Sequence, residues 1–107
     1  MSWTLITKAT RPDTDTDFFT GKNQVQMLTD SDFAYIKETY KDTGKLVSIT
    51  QALSDNELEL LKTFVFKDEA SALEWHDDDK MVAWVSASDT YNTNNDIEYV
   101  IVSKGAT

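Results

Sequence analysis

The sequence predicts an α+β domain in which one four-stranded antiparallel sheet carries helices on one face. Two observations indicate this class: four segments alternate in the manner of strands, and two segments between them repeat apolar residues at helical spacing. The chain has 107 residues, the usual length of one domain, so we expect a single domain over residues 1–107.

Composition and charge limit the classes of function. Forty per cent of the residues are hydrophobic, which favours a folded core, and the absence of cysteine excludes disulfides and thiolate zinc sites. The formal charge of −9 opposes binding to nucleic acid and to anionic membranes, but it could attract a basic protein. Because no apolar stretch is long enough to span a bilayer and no secretion signal is present, we expect a cytoplasmic protein.

The first strand is predicted over residues 3–9, where apolar residues alternate along the chain. Pro12 ends it, because proline cannot continue the hydrogen-bonded ladder. Residues 13–27 are polar and show no sustained period, so they predict a long loop that Phe18 and Phe19 anchor to the core.

The first helix is predicted over residues 30–42. Thr29 is placed as the N-cap of a capping-box pattern, and Leu28 and Phe33 stand at the positions of a hydrophobic staple. Gly44 supplies the C-terminal stop, since glycine readily adopts the left-handed conformation that ends many helices.

Two strands are predicted after this helix. Residues 46–53 form the first, with Val47, Ile49 and Leu53 on one face, and residues 54–57 form a polar hairpin loop. Residues 58–66 form the next strand, which is apolar on both faces.

The second helical segment is predicted over residues 69–91, with Asp68 as its N-cap. We interpret it as kinked or in two pieces, with Asp79 capping the second piece. A strand over Met81–Ala87 is the alternative, because apolar residues also alternate there. The last strand is predicted over Ile97–Val102.

The resulting order, strand-helix-strand-strand-helix-strand, is the ferredoxin-like βαββαβ pattern. In this pattern both helices cover one face of the sheet and leave the other open. Because the third and fourth strands are apolar on both faces, we expect the open face to be covered by a second copy of the chain. Such a homodimer would be a closed or nearly closed barrel.

This order, the aromatic strands and the stretch from Asp89 to Ile97 resemble the dimeric α/β-barrel superfamily, which includes the antibiotic-biosynthesis monooxygenases. The resemblance covers Trp3 to Ser103. It implies a pocket between sheet and helices and allows a cofactor-free oxygenase. The haem-degrading branch has an asparagine on the first strand and a tryptophan and a histidine on the second helix. This chain has Thr7 on that strand. Its Trp75 and His76 are adjacent, so their side chains point in different directions on a helix, and we expect no haem. We expect no other cofactor either.

Three alternating aspartates, Asp13, Asp15 and Asp17, fit the first ligand positions of an EF-hand loop. The rest of that loop does not fit, because Phe18 occupies the position that requires glycine and Gln24 the position of the bidentate glutamate. We therefore expect no metal site there, with an irregular, weak calcium site as the alternative.

A single histidine rules out a metal site with two histidines in one chain, and we predict no catalytic residues. Tyr35, His76, Trp84 and Tyr91 could line a pocket between the sheet and the helices, although aromatic residues at helical spacing are usually core. We favour a small acidic, non-enzymatic accessory or partner-binding protein that acts as a homodimer. The alternatives are a cofactor-free, monooxygenase-like enzyme on a small organic substrate and an acidic inhibitor that mimics DNA.

Overall fold

A computed structural model describes residues 1–19 and 30–107, without the side chains of Asp30 and Asp32. The strands are β1 (Trp3–Thr10), β2 (Leu46–Leu53), β3 (Glu59–Phe66) and β4 (Glu98–Ala106). The helices are α1 (Asp30–Ile36), α2 (Glu69–Asp77) and α3 (Asp79–Asn94), and a π-helical turn, Lys37–Lys41, continues α1. Within these ranges, no helix is long and apolar enough to cross a membrane.

The strands form one antiparallel sheet in the order β2-β3-β1-β4. The two central strands, β1 and β3, pair along their whole length from Trp3 opposite Phe66 to Thr10 opposite Glu59. The predicted α+β class and the four-stranded antiparallel sheet are therefore confirmed.

The core lies between one face of this sheet and the helices. Phe64 and Phe66 project from β3 into it, as the alternation predicts, and Trp75 of α2 packs against both rings. Tyr40, from the π-helical turn, meets Trp75 edge to face with ring centres 5.0 Å apart. Phe18 is also buried, so the predicted anchoring of the segment after β1 is confirmed.

The other face of the sheet, which we call the open face, is mixed rather than uniformly apolar. The register places Ile6, Leu61, Val65 and Val100 on it, and Leu61 is 39 % and Val100 38 % exposed. Threonine residues stand between these apolar side chains, and a Lys8–Glu59 ion pair of 3.2 Å crosses the same face. The expectation that the second face is apolar is therefore correct for the patch formed by these four side chains and wrong for the rest of the face.

A bulge in β2 changes the predicted facing of that strand. Leu46 is opposite Phe66 and Ile49 is opposite Phe64, so both lie on the helix-facing side, and the register shift falls at Val47 between them. Val47 is exposed. The prediction that Val47 shares a face with Ile49 is therefore wrong, because one extra residue interrupts the alternation.

The second helical segment consists of two helices, so the helical interpretation is confirmed and a strand over 81–87 is wrong. Asp68 caps α2 by accepting a hydrogen bond from the backbone N–H of Ser71, as predicted. The N-cap of α3 is Asp78, whose carboxylate accepts from the backbone N–H of Lys80. The prediction that Asp79 caps this helix is therefore wrong; it is the first helical residue.

The end of the first helical segment is as predicted, and its beginning is not described. Gly44 has φ +77°, the left-handed conformation that terminates helices, and its N–H donates to the carbonyl of Lys41. The capping box of Thr29 and the staple with Leu28 lie outside the described residues.

Candidate functional site

A cavity of about 60 Å³ lies between the helix-facing side of the sheet and α3. Its position follows from the fold, because α3 crosses this side of the sheet near β1, β3 and β4. Much of its wall is aromatic or aliphatic, contributed by Ala9, Phe18, Phe19, Leu60, Val85 and Tyr99. Polar side chains also reach the wall, namely Thr7, Lys62, Trp84, Ser88, Asp89 and Asn92.

Lys62 reaches the cavity because it occupies an inward position of β3. It stands between Leu60 and Phe64, both buried on the helix-facing side, and strand residues two apart share a face. Its Nζ lies 5.9 Å from the centre of the Trp84 ring, within cation-π range. Burial lowers the pKa of the Lys62 amine, because the charged form loses water.

Trp84 and Asn92 line the same cavity from α3. Their spacing, with Ser88 midway, places the three side chains along one side of the helix. The indole Nε1–H of Trp84 is buried and has no hydrogen-bond partner in the described part of the chain. The side-chain amide of Asn92 is buried as well, and it makes a long contact of 3.5 Å with the Ser88 hydroxyl.

Oxygen atoms border another part of the cavity. Thr7 is buried on β1 and interacts with the Tyr99 hydroxyl of the neighbouring strand. The pKa of Tyr99 is raised, mainly because its hydroxyl is removed from water and also because Asp89 is near, while the Thr7 contact acts in the opposite direction. Asp89 is exposed, which places its carboxylate at the solvent side of the cavity.

A second polar cluster joins the helices at the break between α2 and α3. Tyr35 and Tyr40 both donate to Asp78 Oδ2, at 2.5 and 2.6 Å. The pKa values of both tyrosines are raised: that of Tyr35 mainly by its hydrogen bond to this carboxylate, and that of Tyr40 mainly by burial. Burial acts to raise the pKa of Asp78, but the two hydroxyls and nearby backbone N–H groups outweigh it and leave that pKa lowered.

The Asp78 cluster is a structural connection between helices. Tyr40 is 1 % exposed, and its hydroxyl also lies 3.4 Å from the Glu74 carbonyl. Glu74 in turn pairs with Lys45 at 2.6 Å. These bonds tie α1, the π-helical turn and the α2–α3 junction to one another.

The four residues predicted to line a pocket are not brought together within the described structure. Trp84 lines the cavity, and Tyr91 lies beside it, packing against Phe19 with ring centres 5.8 Å apart and donating to the Asp17 carbonyl. Tyr35 belongs to the Asp78 cluster. His76 is 82 % exposed at its side chain and contacts its neighbour Asp77.

Sequence reasoning missed Lys62 and Asn92 as cavity residues. The signal for Lys62 is present in the sequence, because a lysine interrupts the inward series of a strand whose other inward members are large and apolar. No comparable signal marks Asn92. It lies in a run of polar residues near the end of α3, and the composition of that run is typical of a turn.

The aspartates after β1 act within their own loop. Asp13 Oδ1 accepts from the backbone N–H groups of Asp15 and Thr16 and from the Thr16 hydroxyl. The Thr16 hydroxyl is the main reason that the pKa of Asp13 is lowered. Across residues 1–19 and 30–107, no group of three or more histidine, cysteine, aspartate or glutamate side chains is arranged to hold a metal ion.

Comparison of the chain with protein-family models, with curated proteins and with solved structures found no match. The resemblance to the dimeric α/β-barrel superfamily therefore stays a hypothesis that rests on the layout of the elements.

Proposed function

We propose that the protein is a non-enzymatic accessory module with a ferredoxin-like fold that acts as a homodimer joined through the open face of its sheet. The observation that carries this proposal is the apolar patch of Ile6, Leu61, Val65 and Val100, which no described element covers. Burying such side chains against a twin removes apolar area from water at about 25 cal/mol per Å². The strand order β2-β3-β1-β4 supports the assignment of the fold.

The size of the open face is adequate for a modest interface. Strands of 8 residues span about 26 Å at a rise of about 3.3 Å per residue, and four strands that each occupy about 4.8 Å of the width of the sheet cover about 19 Å. The planar area is therefore roughly 500 Å² on each protomer, before the relief of the side chains is counted. About 1,000 Å² in total is the lower limit for a specific interface, so we expect a dimer of moderate affinity.

Charge on the open face also suits pairing with itself. Lys8, Glu59 and Glu98 lie on it, so it carries one positive and two negative groups of a chain whose net charge is −9. A two-fold axis could set Lys8 of one protomer against a glutamate of the other, whereas the remaining acidic surface repels its copy. That acidic remainder is the surface we propose for a basic protein partner.

The dimensions of the cavity favour this proposal over a monooxygenase-like enzyme. Pockets that bind organic substrates commonly have volumes of about 300–1,000 Å³. The cavity beside Trp84 has about 60 Å³, room for a few water molecules or one very small molecule. The acidic DNA mimic remains a hypothesis whose test is competition with duplex DNA for a basic DNA-binding protein.

Light scattering coupled to size-exclusion chromatography tests the dimer. At micromolar concentration, the molar mass measured for the wild type should be about twice that of one chain. The molar mass of the Leu61→Glu variant should be that of one chain. Leu73→Glu is the matched control, because Leu73 is 53 % exposed on α2, away from the open face. A wild-type monomer, or a dimer that Leu61→Glu leaves intact, would contradict the proposal.

A further inference from the structure

The outer side of β4 is unpaired in the described part of the chain. The strand order places β4 at one end of the sheet, where it bonds to β1 alone. An edge strand presents the N–H and C=O groups of alternate residues to solvent, and these groups can pair with a further strand. Residues 98–101 pair regularly with β1, and the register shifts at Val102. We call residues 98–101 the β4 edge.

The β4 edge is apolar for an exposed strand. Tyr99, Val100, Ile101 and Val102 follow one another in the chain, and each is between 38 % and 55 % exposed. Edge strands are usually protected by charged side chains, proline or bulges. Here the bulge comes after the apolar run has begun, and Glu98 is the one charged residue of the β4 edge. The strand therefore offers both backbone groups and apolar side chains to a partner.

α3 provides a wall beside the β4 edge. Val85 of α3 and Tyr99 of β4 line the same cavity, and Val82 lies one turn earlier on the same side of the helix. Ile101 is opposite the buried Thr7, so it projects to this side of the sheet as well. The four apolar side chains are between 45 % and 55 % exposed, and they form a shallow groove between α3 and β4.

Carboxylates surround the beginning of the β4 edge. Glu98 is its first residue, and Asp96 precedes it by two positions. Asp89, near the end of α3, lies within electrostatic reach of the Tyr99 hydroxyl. All three carboxylates are exposed, and none of them makes an ion pair with a described residue.

The cations nearest to these carboxylates in the fold are held by other groups. Lys8 of β1 pairs with Glu59 at 3.2 Å. Arg11, just after β1, donates to the carbonyls of Glu57 and Thr16. A second copy of the chain would bring the same three carboxylates to this short edge, whereas a basic segment would be attracted by them. Charge therefore favours a basic protein over pairing of β4 with itself.

We propose that the β4 edge binds an extended segment of a basic protein, which adds to the sheet as a fifth strand. Its apolar side chains lie in the groove between α3 and β4, and its Lys or Arg side chains lie against Asp89, Asp96 and Glu98. This proposal rests on the basic partner proposed above and gives that partner a site and a bound conformation. Backbone hydrogen bonds provide affinity in this mode of recognition, and alternate side chains provide specificity.

Titration of the ¹⁵N-labelled protein with a defined peptide tests the site. The probe is the capped peptide VTVTKKK, which joins a β-forming half to three lysines. We expect saturable shifts of the amide resonances of residues 98–101 and of the facing residues of α3. The capped peptide GSGSKKK has the same charge but lacks β-branched side chains, so it should bind about tenfold more weakly.

N-methylation of the peptide tests the backbone pairing separately from charge. Methyl groups on the two valines block the donors along one edge of the peptide strand, and methyl groups on the two threonines block those along the other edge. One of these isomers should bind about tenfold more weakly than VTVTKKK, and the other should bind nearly as well.

Glu98→Gln tests the contribution of charge at the β4 edge. It should weaken the binding of VTVTKKK about threefold, because an exposed carboxylate interacts modestly with a cation. Glu69→Gln is the matched control, since Glu69 is exposed in the first turn of α2, which follows the opposite end of the sheet. It should leave the affinity unchanged.

The proposal would be overturned by the absence of saturable binding of VTVTKKK, by equal binding of GSGSKKK, or by equal affinities of the two methylated isomers. Shifts that map to another acidic surface, such as residues 77–79, would also overturn it. The same titration on Leu61→Glu separates this site from the dimer, because the β4 edge should bind VTVTKKK with similar affinity in a monomer. Failure of dimerisation would therefore leave the β4 site standing, and failure of peptide binding would leave the dimer standing.

Discussion

Replacement of Asp78 by alanine should be one of the most destabilising single changes at a partly exposed residue in this protein. Asp78 lies between α2 and α3. Its Oδ1 caps α3, and its Oδ2 accepts hydrogen bonds from both Tyr35 and Tyr40. Alanine keeps the backbone N–H of Asp78, which donates to the Trp75 carbonyl at the end of α2, but it removes the carboxylate acceptors. The loss therefore affects the start of α3 and the contacts of α1 and the π-helical turn, which Tyr35 and Tyr40 make through this carboxylate.

The magnitude follows from the partners. Removal of an N-cap costs about 1 kcal/mol. The Tyr40 hydroxyl, on a side chain 1 % exposed, would lose its short acceptor at a cost of about 1–3 kcal/mol. We expect a total of about 2–4 kcal/mol, a large part of the roughly 5–15 kcal/mol of a typical domain. The corresponding fall in Tm is about 8–16 °C.

Urea unfolding followed by circular dichroism measures this loss as a change in Cm at constant slope. Asp78→Asn should lose about half as much, because asparagine caps helices well but offers a neutral acceptor. In a double-mutant cycle with Tyr40→Phe, the coupling should be about 1 kcal/mol or more. Asp77→Ala is the control, since that side chain is 77 % exposed and contacts His76. A Cm of Asp78→Ala close to that of Asp77→Ala, without coupling to Tyr40, would refute the reasoning.

Three further predictions concern pH and the backbone. The free energy of unfolding should fall as pH rises above about 10.0, because the unfolded chain then releases the Tyr40 proton that the native state retains. In urea titrations at alkaline pH, Tyr40→Phe should show a smaller fall than the wild type. Stability should also fall as pH drops below about 3.8, because the lowered pKa of Asp78 means that the unfolded chain takes up the proton first; the acid limb of Asp78→Asn should be shallower. Gly44→Ala should lower the free energy of unfolding by about 1 kcal/mol. The cause is backbone strain at φ +77° alone, since an added Cβ meets no atom within 4 Å. Thermal unfolding measures this change, and an unchanged Tm would contradict it.

Much of the fold could be predicted because its signals are local. Alternation along β1 and β3 placed their inward residues correctly, and Asp68 and Gly44 marked the ends of helices through cap chemistry that depends on few neighbours. The second helical segment was recognised because its apolar stripe continues across the break at Asp78.

The remaining features depend on contacts between distant parts of the chain. Three adjacent aspartates can each cap a helix, and Asp78 does so where hydroxyls from Tyr35 and Tyr40 converge on its carboxylate. The bulge at Val47 follows from pairing with β3, which alternation within β2 cannot reveal. Lys62 is inward for the same reason as its apolar neighbours, but the cavity that it enters depends on how α3 crosses the sheet.

The central claim, that a twin protomer covers the open face, is tested most directly by isotope-filtered NOE spectroscopy. A sample mixed from ¹³C-labelled and unlabelled chains reports only contacts between protomers. We predict intermolecular NOEs from the methyl groups of Leu61, Val65 and Val100. A spectrum without intermolecular NOEs at high concentration, or with contacts solely from apolar residues on the helix side such as Ile101 and Val82, would contradict the claim.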